Sequence, residues 1–220
     1  MADRVKGTRE MAKAAGHECM ILGWVDMPFA EACSLCGVSE FLMMLYDEPE
    51  LAHKILDFLT DIVIEFATAQ LEARAPMIGA GDAAASLISP ALYRKFALPY
   101  EQRVCSAIHG AKGLVKLHIC GNTEKLLPDM CTSGADLFNV DHMVSMKQAA
   151  EAYEKTRKSF KGNINPTDML YMTPKECSSR AADCIRTSAG SQYMLSGGCE
   201  IPAEVTDDVF EAFCRATETV

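Results

Sequence analysis

Short apolar runs alternate along this chain with longer stretches whose apolar residues recur every three or four positions. The runs read as strands over residues 20–25, 77–80, 114–119, 136–140, 159–162 and 193–196. Between them the spacing predicts short helices near 29–36 and 39–46, then a long one from Glu48-Pro49 to about residue 74. In the long helix Leu51, Ile55, Phe58, Leu59, Ile62 and Phe66 recur at helical spacing, which predicts the buried face. Ser89-Pro90 supplies an N-cap and a first-turn proline for a helix to residue 109, with a bend expected at Pro99. Thr173-Pro174 does the same for a helix to about 188, and a last helix is predicted over 207–217.

Six strand–helix alternations predict an α/β fold with parallel strands. The unusual polar residues share one place in this pattern. Asp26, Asp82, His118 with Cys120, Asp141, Asn163 and Cys199 each fall at or just past the C-terminal end of a predicted strand. That end builds the active site of a (β/α) barrel and also holds the ligand in an open doubly wound sheet, so the placement points to one site before it selects an architecture.

Composition narrows the class. The 220 residues are 49% hydrophobic and 23% charged, ordinary for one globular domain. A net charge of −9 argues against a nucleic-acid or anionic-membrane partner, which a basic excess would favour. No apolar run approaches the ~18 residues of a membrane span. The start, MADRVKGTREMAKAAG, has no signal-peptide core, and a cytoplasmic location is expected. Ten irregularly spaced cysteines then read as free thiols, buried small residues or metal ligands. With thirteen methionines they make a sulfur-rich chain, which fits an anaerobe because both side chains oxidise readily.

The sharpest local feature is His118-Ile119-Cys120-Gly121-Asn122. Residues i and i+2 of a strand point to the same side, so imidazole and thiol can reach one ion. Cys199, after Gly197-Gly198, joins them if the sheet curls. One His and two Cys are the donor set of a catalytic zinc with an open position. The other reading is a satisfied core histidine with two small buried residues. Cys33-Ser34-Leu35-Cys36 is a CxxC that a redox pair or half of a zinc site could use, but with no thioredoxin-like pattern and no second pair nearby it reads as two thiols on one helix face. Asp82 can bind substrate, act as acid or base, ligate a metal, or cap the segment that follows. Asp141 can orient a ligating imidazole or cap its loop, and His142 reads as a loop residue.

Taken together, WVDMPFAEACSLCGV, DEPE, GAGDAAASLISPALYRKFALPY, KLHICGNTEKLLPDMCTSGADLFNVD, KGNINPTDML and MLSGGCEIPAEV resemble the uroporphyrinogen decarboxylase superfamily, in its order and across essentially the whole chain. The resemblance implies a (β/α)8 TIM-barrel type of fold. Six βα units are counted, so residues 1–220 are expected to form a single barrel domain lacking about two N-terminal units. The strands over 20–25 and 193–196 would then present open edges, and association of copies or completion by a second chain is expected.

The HICG and GGC segments are similar to those of the methylcobamide:coenzyme M methyltransferase branch. That similarity implies Zn²⁺ on His118, Cys120 and Cys199, with Asp82 and Asp141 as candidate catalytic residues of the pocket. It also implies methyl transfer from a methylcobamide, carried by a partner corrinoid protein, to a small thiol acceptor such as coenzyme M. The alternatives are a uroporphyrinogen decarboxylase of porphyrin and heme biosynthesis, whose polycarboxylate substrate calls for arginines at the mouth, and a non-catalytic truncated barrel subunit.

Overall fold

Strand and helix alternate as the periodicity predicts. The computed structural model describes residues 1–218. The chain divides into two units, Met1–His118 with Thr132–Asp136, and Ile119–Cys131 with Leu137–Val220.

The first unit begins with α1 (Lys6–Ala15), which the sequence pattern did not predict and which buries none of its residues. There follow β1 (Leu22–Asp26), α2 (Pro28–Cys36), α3 (Val38–Asp47), α4 (Pro49–Glu72) and β2 (Met77–Gly81). The unit continues with α5 (Pro90–Phe96), α6 (Leu98–Gly110) and β3 (Leu114–His118). The predicted bend at Pro99 is a break at Ala97. Pro99 has no N–H for the preceding turn and its ring crowds it. The Ser89 hydroxyl accepts from the Leu92 N–H, as an N-cap should.

β1 pairs parallel with β2, and β2 with β3. The register sets Trp24 beside Gly79 and Gly79 beside Lys116; one row on, Asp26 lies beside Gly81 and Gly81 beside His118. These residues share one face, and the glycines on it are required. A Cβ at Gly79 would lie 2.4 Å from the Trp24 ring, and one at Gly81 2.8 Å from it. The Lys116 ammonium stands 4.9 Å from the centre of the same ring. The other face carries Val25, Ile78, Ala80, Val115 and Leu117, all buried.

α4 corrects the predicted helix face. Its buried residues are Ala52, Leu56, Leu59, Thr60, Val63, Ala67 and Gln70, while Leu51, Phe58 and Ile62 are exposed. The helix is apolar over most of its circumference, so periodicity alone could not choose the side. Gln70 is buried for a reason that no hydrophobic pattern reports. Its carboxamide accepts from the Trp24 N–H and donates to the Trp24 C=O, both at 2.9 Å. It thereby acts as one rung of a neighbouring strand on the outer side of β1, at an edge expected to be open.

The second unit contains α7 (Leu127–Met130), β4 (Leu137–Asn139), α8 (Met146–Thr156), β5 (Ser159–Ile164), α9 (Pro166–Met169), α10 (Pro174–Thr187), β6 (Tyr193–Gly197) and α11 (Asp207–Arg215). β4, β5 and β6 pair parallel in that order. Phe138, Phe160 and Tyr193 form one row across them, and Tyr153 of α8 stacks on the first two at 4.7 and 5.2 Å between ring centres. Thr173 and Glu176 form a reciprocal capping box that starts α10. Ile164, Met169, Cys177, Ala181, Val209 and Phe213 close the apolar cluster beneath α10 and α11.

Strand order follows chain order from β1 to β6, the arrangement of a TIM-barrel-like α/β fold. Among the described residues no single helix is long and apolar enough to cross a membrane. α2 and α3 pass that test only as a pair bent by 107°.

Replacing Gln70 by Leu keeps the volume but leaves the two Trp24 backbone groups without their partner. The expected loss is about 1–3 kcal/mol, read as a lower urea midpoint, with increased self-association in light scattering as the β1 edge opens.

Candidate metal centre

β6 ends at Gly197, and the chain then turns sharply to present Cys199. Three contacts fix this turn. The Gly198 N–H donates to the Ile164 carbonyl at 2.8 Å, and the buried Asn139 amide donates to the carbonyls of Gly197 and Gly198, each at 3.4 Å. Gly198 lies against the turn that follows β4, where a Cβ would sit 2.4 Å from the His142 backbone nitrogen. Only glycine permits that approach.

The turn brings the Cys199 sulfur 3.8 Å from the Cys120 sulfur. His118 is the last residue of β3, and two steps along the chain from it stands Cys120. The ligand atoms of His118, Cys120 and Cys199 all lie within 4.8 Å of one another. His118 is buried, Cys120 half-buried and Cys199 exposed. The sulfur spacing suits a metal. An ion bonded to two thiolates at about 2.3 Å with a tetrahedral angle holds the sulfurs about 3.8 Å apart. Burial pushes the Cys120 thiol up to about 12, with the Cys199 thiol and Asp141 adding to the shift. The thiol is therefore mostly protonated near neutral pH, and a cation bound there displaces the proton.

Asp141 is buried next to this pair. Its Oδ1 accepts from the Met143 N–H at 2.9 Å and lies 3.0 Å from Nδ1 of His142. The imidazole it holds is thus that of His142, and its carboxylate also closes the turn. The Asn163 amide donates to the carbonyls of Asp141 and Val144, which pins the same turn to β5.

Asp82 lies just past β2, and its N–H donates to the His118 carbonyl at 2.9 Å. Its side chain has no exposed surface. Neither carboxylate oxygen has a full hydrogen-bond partner, nor has Oε1 of Glu101. Burial raises Asp82 well above the usual carboxylate range, the Glu101 charge adds to this, and the Ala30 N–H opposes it. Burial raises Glu101 to about 7, against the hydrogen bond from Tyr93 at 2.5 Å. A proton held between the two carboxyls supplies the missing donor. The same burial, with Asp82 and Cys36 nearby, pushes Cys33 up to about 12, which suits a packed thiol of α2.

Sequence reasoning missed Glu101, Tyr93 and Asn139. A signal for Glu101 was present: it lies four residues after Ala97 and three before Val104, both buried. An acid at a core position of a helix is a buried charge in waiting.

The family model described as uroporphyrinogen decarboxylase (URO-D) matches residues 3–220. The chain is 27% identical over 219 residues to the uroporphyrinogen decarboxylase of a Synechococcus species, covering 96% of this chain and 61% of that one. It is 31% identical over 194 residues to a methylcobamide:CoM methyltransferase of Methanosarcina acetivorans, covering 87% and 56%. A solved methyltransferase from Methanosarcina mazei superposes with a TM-score of 0.88 at 26% identity, over 98% of this chain and 63% of that one. The chain spans about six-tenths of the length of such relatives.

The buried carboxyls give a pH dependence with a definite sign. Asp82 and Glu101 bind protons more tightly folded than unfolded, where 3.8 and 4.5 are their ordinary values. Their stabilising contribution is complete below about pH 4; that of Glu101 is lost as pH rises through about 7, and that of Asp82 as pH rises through its own raised folded value. Urea midpoints should fall between pH 5 and pH 8, and Glu101→Gln should flatten that fall. A wild-type midpoint that falls no more steeply over this interval than the variant's would contradict the assignment.

Proposed function

The chain belongs to the uroporphyrinogen decarboxylase family, and on that premise we propose a zinc-dependent methyltransferase that moves a methyl group from a methylcobamide, carried by a corrinoid protein, to a small thiol such as coenzyme M. The carrying observation is the convergence of His118, Cys120 and Cys199, with the two sulfurs 3.8 Å apart. Two thiolates and a neutral imidazole balance the charge of a divalent ion and favour zinc over harder metals. Three donors are one fewer than a tetrahedral ion takes, which leaves a place for the acceptor. Zinc bound there would act as a Lewis acid that holds the acceptor thiol deprotonated at neutral pH.

The remaining roles belong to the chain. Gly198 and Asn139 hold the Cys199 turn where its thiolate meets that of Cys120. Asp141 closes the adjoining turn and orients the half-exposed ring of His142, a candidate contact for substrate. Asp82, buried with Glu101, supports the end of β2 beside His118 and would act through position rather than by touching substrate. In this reading the protein works in the cytoplasm, where reducing conditions keep thiols available.

A uroporphyrinogen decarboxylase is the second reading, favoured by the relatives that carry that activity. It has no use for a converging pair of thiols.

Metal analysis of the purified chain should find about one zinc. Cys199→Ala should weaken its binding by more than about 100-fold, beyond the 10–100-fold typical of residues that only orient a ligand. Gly198→Ala, which keeps all three donors, should weaken binding through displacement of the turn. Methyl transfer from methylcobalamin to coenzyme M should disappear with the metal. A metal-free protein that decarboxylates uroporphyrinogen and transfers no methyl group would transfer the assignment to the second reading.

A further inference from the structure

The two sulfurs that suit a metal are also placed to bond to each other. Cys120 and Cys199 are 79 residues apart in sequence, neither is in a disulfide, and their sulfurs lie 3.8 Å apart. A disulfide needs about 2.05 Å, so closure requires a movement of about 1.7 Å. Cys199 is exposed and follows two glycines at the end of β6, in a stretch without regular structure up to α11. Rotation about its side chain and adjustment of this stretch can supply that movement without disturbing the strands.

We propose that Cys120 and Cys199 form a reversible disulfide in the metal-free protein, making the pair a redox modification site that excludes the metal. The bond itself rests on the sulfur geometry; its consequence for activity rests on the metal-centre reading. A low-molecular-weight disulfide, RSSR, is the oxidant. The exposed Cys199 thiolate attacks one of its sulfurs, forming a mixed disulfide and releasing one thiolate. Cys120, on losing its proton, then attacks the Cys199 sulfur and releases the second. The two cysteines lose two electrons and two protons in total, and RSSR is reduced to two RSH. A bound zinc ion would engage both thiolates and block the first step, and the disulfide would leave only His118 of the three donors.

The test uses the full chain, stripped of metal by a chelator and exposed to oxidised glutathione at neutral pH. Thiols are then alkylated and the peptides mapped by mass spectrometry. The expected product is a peptide pair joined through Cys120 and Cys199, released by dithiothreitol. Cys120→Ser should instead retain glutathione on Cys199, since no second thiol is there to displace it. Adding one equivalent of zinc first should slow the cross-link about tenfold or more. Recovery of Cys120 and Cys199 as free thiols, or as separate glutathione adducts, would overturn the inference. If zinc binds tightly but stripped protein never cross-links, the disulfide fails and the metal reading stands. If the cross-link forms equally fast with and without zinc, the disulfide stands and the metal reading fails.

Discussion

Close approach of backbone to backbone at Gly198 is the constraint on which the candidate site depends. A side chain there would collide with the His142 nitrogen, and the turn would have to swing away from the chain that follows β4. Cys199 would go with it. The bond from Gly198 to Ile164 and the amide of Asn139 hold the turn from the other side. Two sulfurs from distant parts of the sequence thus meet at the spacing a tetrahedral ion prefers, with His118 delivered by the end of a parallel strand.

Polar groups inside the apolar layers serve the same end. Gln70 completes the outer rung at Trp24, which steadies β1. Asp82 and Glu101 are costly to bury as charges, and a shared proton lowers that cost. Their place is between β2, α5 and α6, beneath the strand end that carries Asp82 toward the His118 backbone. The pair thus lies next to the strand end that carries His118, a residue of the candidate metal centre. Asn139 and Asn163 do corresponding work in the second unit, where neutral amides satisfy turn carbonyls without adding charge.

Much of the fold was legible because its strands are short apolar runs bounded by glycine, proline and acids. β2 is buried along its whole length and reads as a continuous apolar segment. The caps at Ser89 and Thr173 act locally, so neighbouring residues sufficed to find them. α1 escaped notice because it buries nothing and so carries no apolar stripe facing a core. α8 escaped because its buried face is two alanines and one tyrosine, too small a signal against its many charges. The buried side of α4 was assigned about one residue out of phase, since large apolar residues occupy several sides of it and only packing selects among them.

The sequence by itself determined the alternation of elements, the collection of polar residues at strand ends and the nearness of His118 to Cys120, because these depend on spacing of a few residues. Tertiary structure alone decided that Cys199 reaches Cys120 and that Glu101 lies in the core with Asp82. Each of these joins residues on separate elements, and whether they meet depends on register, on a turn only glycine can make, and on which face of a helix is covered. No local pattern carries that information, since it arises only when the strands are set side by side.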